Sequence, residues 1–407
     1  MRIGIVYSHF SEGGGVENVI LNQMKLLRSI GHEVNCYFAY VDENLLHLLN
    51  LEKHIHHYYP NTLPINSKAI RVLLSIPMAP LIAKKLGGEE LLICHGYSSA
   101  PWIGYIQKRL RGVRIISYLH FLPRMFYLDR SEVSLWCFDA VRKAAYALGS
   151  VCRSLLEKID MLSILNSDFV LVNSLFTQRR VREVYGVNPI VCYPPVDVEV
   201  FKILPENMLC LASSKSYRKS YGFQFSHPII FSSGRILPIK RFEWLIESLY
   251  YVKKVFPSAN LVIAGSIPNE SRGYLQKLIN LAKNLNVNDS IRFLGFVKVE
   301  ELVQLYNIAD VYVYPSPRED FGLGPVEAMA CGTPAIVWDD GSGPCETVIN
   351  GVTGYRAKPY DVKDFSSKII EALSIGKKHS NIMRQHVVKN FSIQNHRKIL
   401  EEVIRKI

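Results

Sequence analysis

Two carboxylates, Glu319 and Glu327, flank the run Phe321-Gly322-Leu323-Gly324. Glycines at such a point let backbone N–H groups close on an anion, and a helix opening there adds a favourable partial charge. Glu327, at about the first turn of that helix, can accept from two adjacent hydroxyls of the kind a ribose presents. Glu319, nearer the end of the apolar run Val311–Tyr314, can hold sugar hydroxyls. Complementing the helix dipole would explain Glu327 alone, but not the whole cassette. A second group lies upstream. The apolar run Ile229–Phe231 leads through Ser232-Ser233 to Gly234 and Arg235, with Lys240-Arg241 close behind. Two fixed cations at the carboxyl end of a parallel strand suit a diphosphate, with Arg able to fork onto two oxygens. An exposed loop with ordinary surface charges accounts for Arg235 and Lys240 equally well when they are taken alone. A third piece, Asp340-Gly341-Ser342-Gly343-Pro344-Cys345-Glu346-Thr347, has the composition of a tight turn beside the same crevice.

The elements that must position these residues alternate in type. Ile3–Tyr7 reads as a strand and Gly13-Gly14-Gly15 as a turn. Residues 16–30 have helical apolar spacing, closed by Gly31, and Val34–Ala39 is the next strand, which makes a βαβ unit. Leu91–Cys94, Arg114–Tyr118 and Phe169–Val172 read as buried strands. A second series has strands at Ile229–Phe231, Asn260–Ala264, Ile291–Leu294, Val311–Tyr314 and Ala335–Val337. Helices over 241–255, 272–285, 299–308 and 324–331 separate them, and a hairpin-like return is expected at Gly351–Tyr355. The fold class is therefore α/β, with two doubly wound parallel-sheet domains. The expected divisions are an N-terminal domain over 1–195, an irregular linker over 196–227, a second domain over 228–375, and a helical, basic segment over 376–407.

Composition narrows the class further. The 407 residues carry 48 Lys+Arg against 36 Asp+Glu, a net charge of +12. Solubility alone or an anionic partner explains such an excess. Residues 101–158 hold ten basic and four acidic side chains, interleaved with Trp102, Tyr105, Phe121, Phe126, Tyr127, Trp136 and Phe138. That mixture suits an anionic membrane surface, although solvated helix faces over an ordinary core would also produce it. Eight cysteines without a CxxC pair fit reduced, mostly buried thiols in a cytosolic compartment. The most apolar stretch, 72–83, is interrupted by Ser75, Pro77 and Pro80, so any membrane contact is expected to be peripheral.

In order and spacing, Gly234-Arg235…Lys240-Arg241, Glu319-Asp320-Phe321-Gly322…Glu327-Ala328-Met329-Ala330-Cys331-Gly332-Thr333-Pro334 and Gly343-Pro344-Cys345-Glu346-Thr347 resemble family 4 glycosyltransferases of the two-domain GT-B fold. The N-terminal segments Gly13-Gly14-Gly15-Val16-Glu17, Asn173-Ser174-Leu175-Phe176-Thr177 and Tyr193-Pro194-Pro195-Val196-Asp197 extend the likeness to most of the chain. The resemblance implies two domains facing a cleft and a nucleotide sugar, GDP- or UDP-linked, as donor. It also implies retention of anomeric configuration. By it, Arg235 and Lys240 bind the diphosphate, Glu319 the transferred sugar and Glu327 the ribose. Gly234, Phe321, Gly322, Leu323 and Gly324 line the donor seat, with Gly14 and Gly15 on the N-terminal side. His120, which ends the run Tyr118-Leu119-His120-Phe121, matches the histidine that faces the donor sugar. Charge developing on the leaving phosphate would be met by Arg235, Lys240 and the Gly322–Gly324 amides, an electrostatic task that calls for no metal or cofactor.

The stretch after His120 and the segment Asn173–Thr177 further resemble dolichol-pathway mannosyltransferases. This implies mannose as the sugar, a lipid-linked or other glycan acceptor, and a cytoplasmic, peripheral membrane location. A sugar-nucleotide 2-epimerase of the same fold is the nearest alternative, but it would need further acid–base groups around the sugar. A nucleic-acid-binding protein would leave the glycine cassettes without a purpose, and the basic stretch contains no recognised binding module.

Overall fold

The computed structural model describes residues 1–10, 14–41, 55–57, 68–96, 99–127, 140–209 and 228–407. Gly13, residues 128–139 (with Arg130, Trp136 and Phe138) and 210–227 of the linker lie outside the described residues. The chain divides into two compact units, Met1–Pro195 with His396–Ile407, and Val196–Asn395. The tail over 376–407 is thus shared: its first part belongs to the second unit and its last twelve residues to the first.

In the first unit the described strands are β1 (Arg2–Tyr7), β2 (Glu33–Phe38), β3 (Ile55–His57), β4 (Leu91–His95), β5 (Arg114–Leu119), β6 (Phe169–Val172) and β7 (Ile190–Val191). Every pairing is parallel, in the order β3-β2-β1-β4-β5-β6-β7. Parallel strands need crossover helices. These are α1 (Gly15–Ser29), α2 (Lys68–Lys85), α3 (Ser99–Arg111), α4 (Arg124–Tyr127), α5 (Ala140–Val151), α6 (Arg153–Leu165) and α7 (Leu175–Tyr185). Pro77 and Pro80 do not stop α2. Burial of Ala79, Ile82, Ala83 and the following Leu86 in one core with Ile103 and Ile115 holds it through the break in its hydrogen-bond ladder. Strand order reverses between β1 and β4, so a ligand crevice is expected beyond the carboxyl ends of those two strands.

The second unit contains β8 (Ile229–Ser233), β9 (Asn260–Ala264), β10 (Ile291–Gly295), β11 (Val311–Val313), β12 (Ala335–Trp338) and β13 (Gly354–Ala357). They too pair in parallel, in the order β10-β9-β8-β11-β12-β13. Its helices are α8 (Glu243–Val252), α9 (Arg272–Asn284), α10 (Val299–Ile308), α11 (Leu323–Ala330), α12 (Gly343–Thr347), α13 (Val362–Ile375) and α14 (Ser380–Phe391). α15 (Ile393–Arg405) begins in this unit and continues into the first. Here the order reverses between β8 and β11.

Two local expectations are corrected. Residues 238–240 form a 3-10 turn and Arg241 has φ 56°, outside the helical region, so α8 starts only at Glu243 rather than at 241. Pro238 presets the turn, and Arg241 uses its left-handed backbone to redirect the chain. The return at 351–355 is a tight turn, with the Gly351 N–H donating to Gly354 O at 2.8 Å, followed by β13 in parallel with β12 and not by a hairpin. A Cβ at Gly354 would lie 2.0 Å from Ala335 O, so only glycine permits that approach between the strands.

Candidate functional site

The second unit gathers most of the expected donor residues at its switch point. β8 delivers Ser233, Gly234 and Arg235, and β11 delivers Tyr314 just past its end. Lys240, carried by the 3-10 turn, reaches Glu319 with its Nζ 2.5 Å from Oε2. Tyr314 completes a triangle. Its hydroxyl is 3.1 Å from Lys240 Nζ and 3.1 Å from Glu319 Oε2, and Lys240 also sits 5.3 Å from the centre of its ring. Both members of the ion pair keep about a fifth of their side-chain surface exposed. The cation and the carboxylate therefore meet each other here and remain reachable by a ligand. Arg235 is exposed on the loop beyond β8. Arg241, next to Lys240 in sequence, is turned to other work: it pairs with Glu243 at 3.1 Å and lies 4.3 Å over the Trp244 ring.

The loop before α11 is built from close backbone contacts. Gly322 has φ 79°, and a Cβ there would press on Pro344 and the Tyr314 ring. A Cβ at Gly343 would lie 2.3 Å from Asp320 O. The Gly343 N–H donates to Glu319 O at 2.9 Å, and Asp340 accepts from the Arg318 N–H at 2.8 Å and the Ser342 N–H at 3.0 Å. The Asp340–Thr347 segment thus serves as the buttress of the Glu319–Gly324 loop. Phe321 is buried behind that loop, 5.9 Å from Phe391, while Leu323 is partly exposed. Gly322 caps α11 without a side-chain hydrogen bond, which leaves the first-turn amides of the helix as donors for an anion.

Glu327 lies in the second turn of α11, one turn later than expected, and accepts from the Tyr306 hydroxyl at 2.8 Å. Burial pushes its carboxyl up to about 7, and the Tyr306 bond opposes the shift only in part. Three tyrosines that sequence reasoning missed link the groups. Ser233 Oγ is 3.0 Å from the hydroxyls of both Tyr306 and Tyr312, and Gly324 lies so close that a Cβ would be 2.1 Å from Tyr312 Oη. Tyr312 on β11 and Tyr314 just past its end are two residues apart, and their rings stack 6.4 Å apart. That period of two, in a strand otherwise made of valine, was the available signal.

In the first unit, Gly14 and Gly15 open α1 after β1. A Cβ on Gly14 would lie 2.8 Å from Glu17 Oε2, so the glycine leaves room for that buried carboxylate to fold back over the helix end. His120 follows β5 and is buried, with its carbonyl accepting from Asn173 Nδ2 at 2.8 Å. Its ring nitrogen Nε2 is 3.0 Å from His95 Nδ1. Burial, and then the nearby His396, pull His120 down to about 3, so it is neutral at physiological pH.

The chain is similar to known proteins over most of its length. Residues 13–200 match the model for Glycosyltransferase Family 4, and residues 213–388 the model for Glycosyl transferases group 1. Among curated relatives, the D-inositol 3-phosphate glycosyltransferase of Mycolicibacterium smegmatis is 29% identical over 238 residues, which is 58% of this chain and 52% of that protein. A GDP-mannose-dependent monoacylated alpha-(1-6)-phosphatidylinositol monomannoside mannosyltransferase of Corynebacterium glutamicum is 30% identical over 207 residues, 49% of this chain and 51% of that one. The chain spans about half the length of the curated relatives it matches. Among solved structures, sucrose-phosphate synthase of Thermosynechococcus elongatus superposes with TM-score 0.78 at 18% identity, covering 100% of this chain and 98% of that one. Anabaena HepE in complex with UDP gives 0.75 at 17%, with both chains fully covered. With both units matched and the fold shared end to end, the protein belongs to the family 4, group 1 glycosyltransferases of the GT-B fold.

Proposed function

We propose that the protein is a retaining glycosyltransferase that moves a hexosyl group from a nucleotide diphosphate sugar to a lipid-linked or other glycan acceptor. The observation that carries this reading is the Lys240–Glu319–Tyr314 triangle beside the uncapped start of α11. It sets a cation, a carboxylate and backbone amide donors within one loop system. In the proposed reaction the bond from the anomeric carbon to the β-phosphate oxygen breaks, and the negative charge moves onto that phosphate. Arg235, Lys240 and the Gly322–Gly324 amides stabilise it. The acceptor hydroxyl then bonds to the anomeric carbon on the face the phosphate left, and its proton passes to the departing phosphate. Glu327 holds the ribose, Glu319 the transferred sugar, and His120 a sugar hydroxyl. No step in this scheme is assigned to a metal or a cofactor.

GDP-mannose is the proposed donor, supported by the Corynebacterium relative whose name states that dependence. The test is a thermal-shift panel of GDP- and UDP-sugars with Glu327→Ala as control. GDP-mannose should raise Tm in the native protein and not in the variant. A shift kept by the variant removes the ribose role. A larger shift with a UDP-sugar reassigns the donor.

The acceptor is proposed to reside on an anionic membrane, on whose cytoplasmic face the protein binds peripherally. Among the described residues no helix is long and apolar enough to cross a membrane. Instead α6 and its approach expose Val151 (83%), Leu155 (60%), Leu162 (45%) and Leu165 (51%), with Leu110 (59%) on α3, which packs against α6. Arg109 and Lys158, both exposed, supply positive charge on the same two helices.

A further inference from the structure

The histidine beyond β5 does not stand alone. His95, His120 and His396 are all buried in the first unit, with Gln23 of α1 buried among them. One hydrogen-bonded path runs from His120 through His95 and Gln23 to His396 on α15, and ends on a backbone carbonyl.

The carbonyl sets the direction of the whole path. His396 Nδ1 lies 2.7 Å from Tyr193 O, and since a carbonyl only accepts, that nitrogen carries the proton. Cys192 Sγ, 3.3 Å away, shares the same N–H, and burial keeps its thiol protonated by pushing it up to about 12. In the neutral ring the lone pair is then at Nε2, so the Gln23 group facing it at 2.9 Å is the amide NH2. The Gln23 oxygen consequently faces His95 Nε2 at 2.8 Å, which must donate. His95 Nδ1 is left as an acceptor, and His120 Nε2, 3.0 Å away, donates to it. The last lone pair falls on His120 Nδ1. An added proton on His95 or His396 would turn one N–H against another unless the path reversed. Burial holds all three rings neutral, His396 down to about 4.

We propose that Gln23, His95 and His396 are positioning residues that lock His120 in its Nε2–H tautomer and present Nδ1 as a fixed acceptor for a sugar hydroxyl. This rests on the reading of His120 as a sugar-contacting residue. Nδ1 has no hydrogen-bond partner among the described residues, while Nε2 is fully committed. A ring free to exchange tautomers would present a donor part of the time, and a hydroxyl that donates would then be turned away.

The test is a long-range 1H–15N correlation spectrum of the full chain with 15N-labelled histidine, assigned by single His→Gln replacements. Expected are protons on Nε2 of His95 and His120 and on Nδ1 of His396. A proton on His120 Nδ1 at neutral pH overturns the proposal. Gln23→Met, of matched length but without the amide, should shift His120 towards a tautomer mixture. It should also lower turnover, read as release of nucleoside diphosphate from the sugar nucleotide of largest thermal shift, by about 10-fold. An unmoved His120 signal in that variant contradicts the path. His95→Asn, which keeps an acceptor oxygen near the Nδ1 place, should preserve the His120 signal, and His95→Phe should not. Unchanged turnover in His120→Ala would instead sink the sugar contact while the tautomer spectrum stood, so the two failures are read apart.

Discussion

Glu327 shows how one side chain can tie binding to pH. Its carboxyl is pushed up to about 7 by burial, from an ordinary 4.5. Between those values the folded chain binds a proton that the unfolded chain does not. Stability contributed by this group is therefore present below 4.5 and is lost as pH rises through about 7. A ribose that needs the ionised form follows the opposite course. Donor affinity should strengthen by about tenfold from pH 6 to pH 8, and titration calorimetry of Glu327→Gln should give a weaker and flat profile. Equal affinity at both pH values in the native protein would contradict the ribose role. At this scale the sequence was legible where chemistry shows in residue type: Arg235, Lys240, Glu319 and Glu327 stand out as charges among glycines. Tyr306, Tyr312 and Tyr314 were not, because tyrosines in apolar runs read as core. Only their hydroxyl contacts with Ser233, Glu319 and Glu327 separate them from packing.

At the scale of elements, glycines decide how closely the loops meet. Gly324→Ala would set a Cβ 2.1 Å from Tyr312 Oη and 3.4 Å from Ser233 Oγ, within the path that leads to Glu327. It should cost about 1–3 kcal/mol by overpacking, seen as a lower urea midpoint with unchanged slope, and should weaken nucleotide binding as well. Gly273→Ala, inside α9 where a Cβ meets nothing within 4 Å, is the control: it should not lower the midpoint and should leave nucleotide binding unchanged. A Gly324→Ala protein as stable as the native one would show that α11 is not held against β11 as described. Most strands were legible from apolar runs bounded by turns, because parallel strands are buried on both faces. The start of α8 was not. Apolar spacing runs back to Phe242, directly after Arg241, and the left-handed Arg241 is a conformation that residue type does not announce. The parallel direction of β13 was hidden for a related reason: glycines that suggest a hairpin serve here for close approach to Ala335.

For the whole molecule, the last twelve residues matter beyond their position. His396, Leu400, Val403 and Ile404 are buried, and the segment belongs to the first unit although the chain reaches it through the second. Removing 396–407 should expose apolar surface worth about 1.5–3 kcal/mol per large side chain. It should also open sites within 1–195 to limited proteolysis; a digestion pattern unchanged from the full chain would contradict this. No local pattern foretold it, since a helix does not declare which unit it packs on. Flotation with phosphatidylglycerol vesicles at low salt should carry the native protein, and Leu155→Glu with Leu162→Glu should abolish it. Binding unaffected by that pair would exclude α6 as the contact.

Arg235, Lys240 and the amides before α11 form the proposed diphosphate seat. Equilibrium binding of GDP and of guanosine to the full chain, each against Lys240→Ala, tests it most directly. GDP should bind the native protein and lose about tenfold or more in the variant, the worth of a charge-assisted hydrogen bond, while guanosine binding stays as it was. Equal GDP affinity in both proteins would rule out Lys240 as part of that seat.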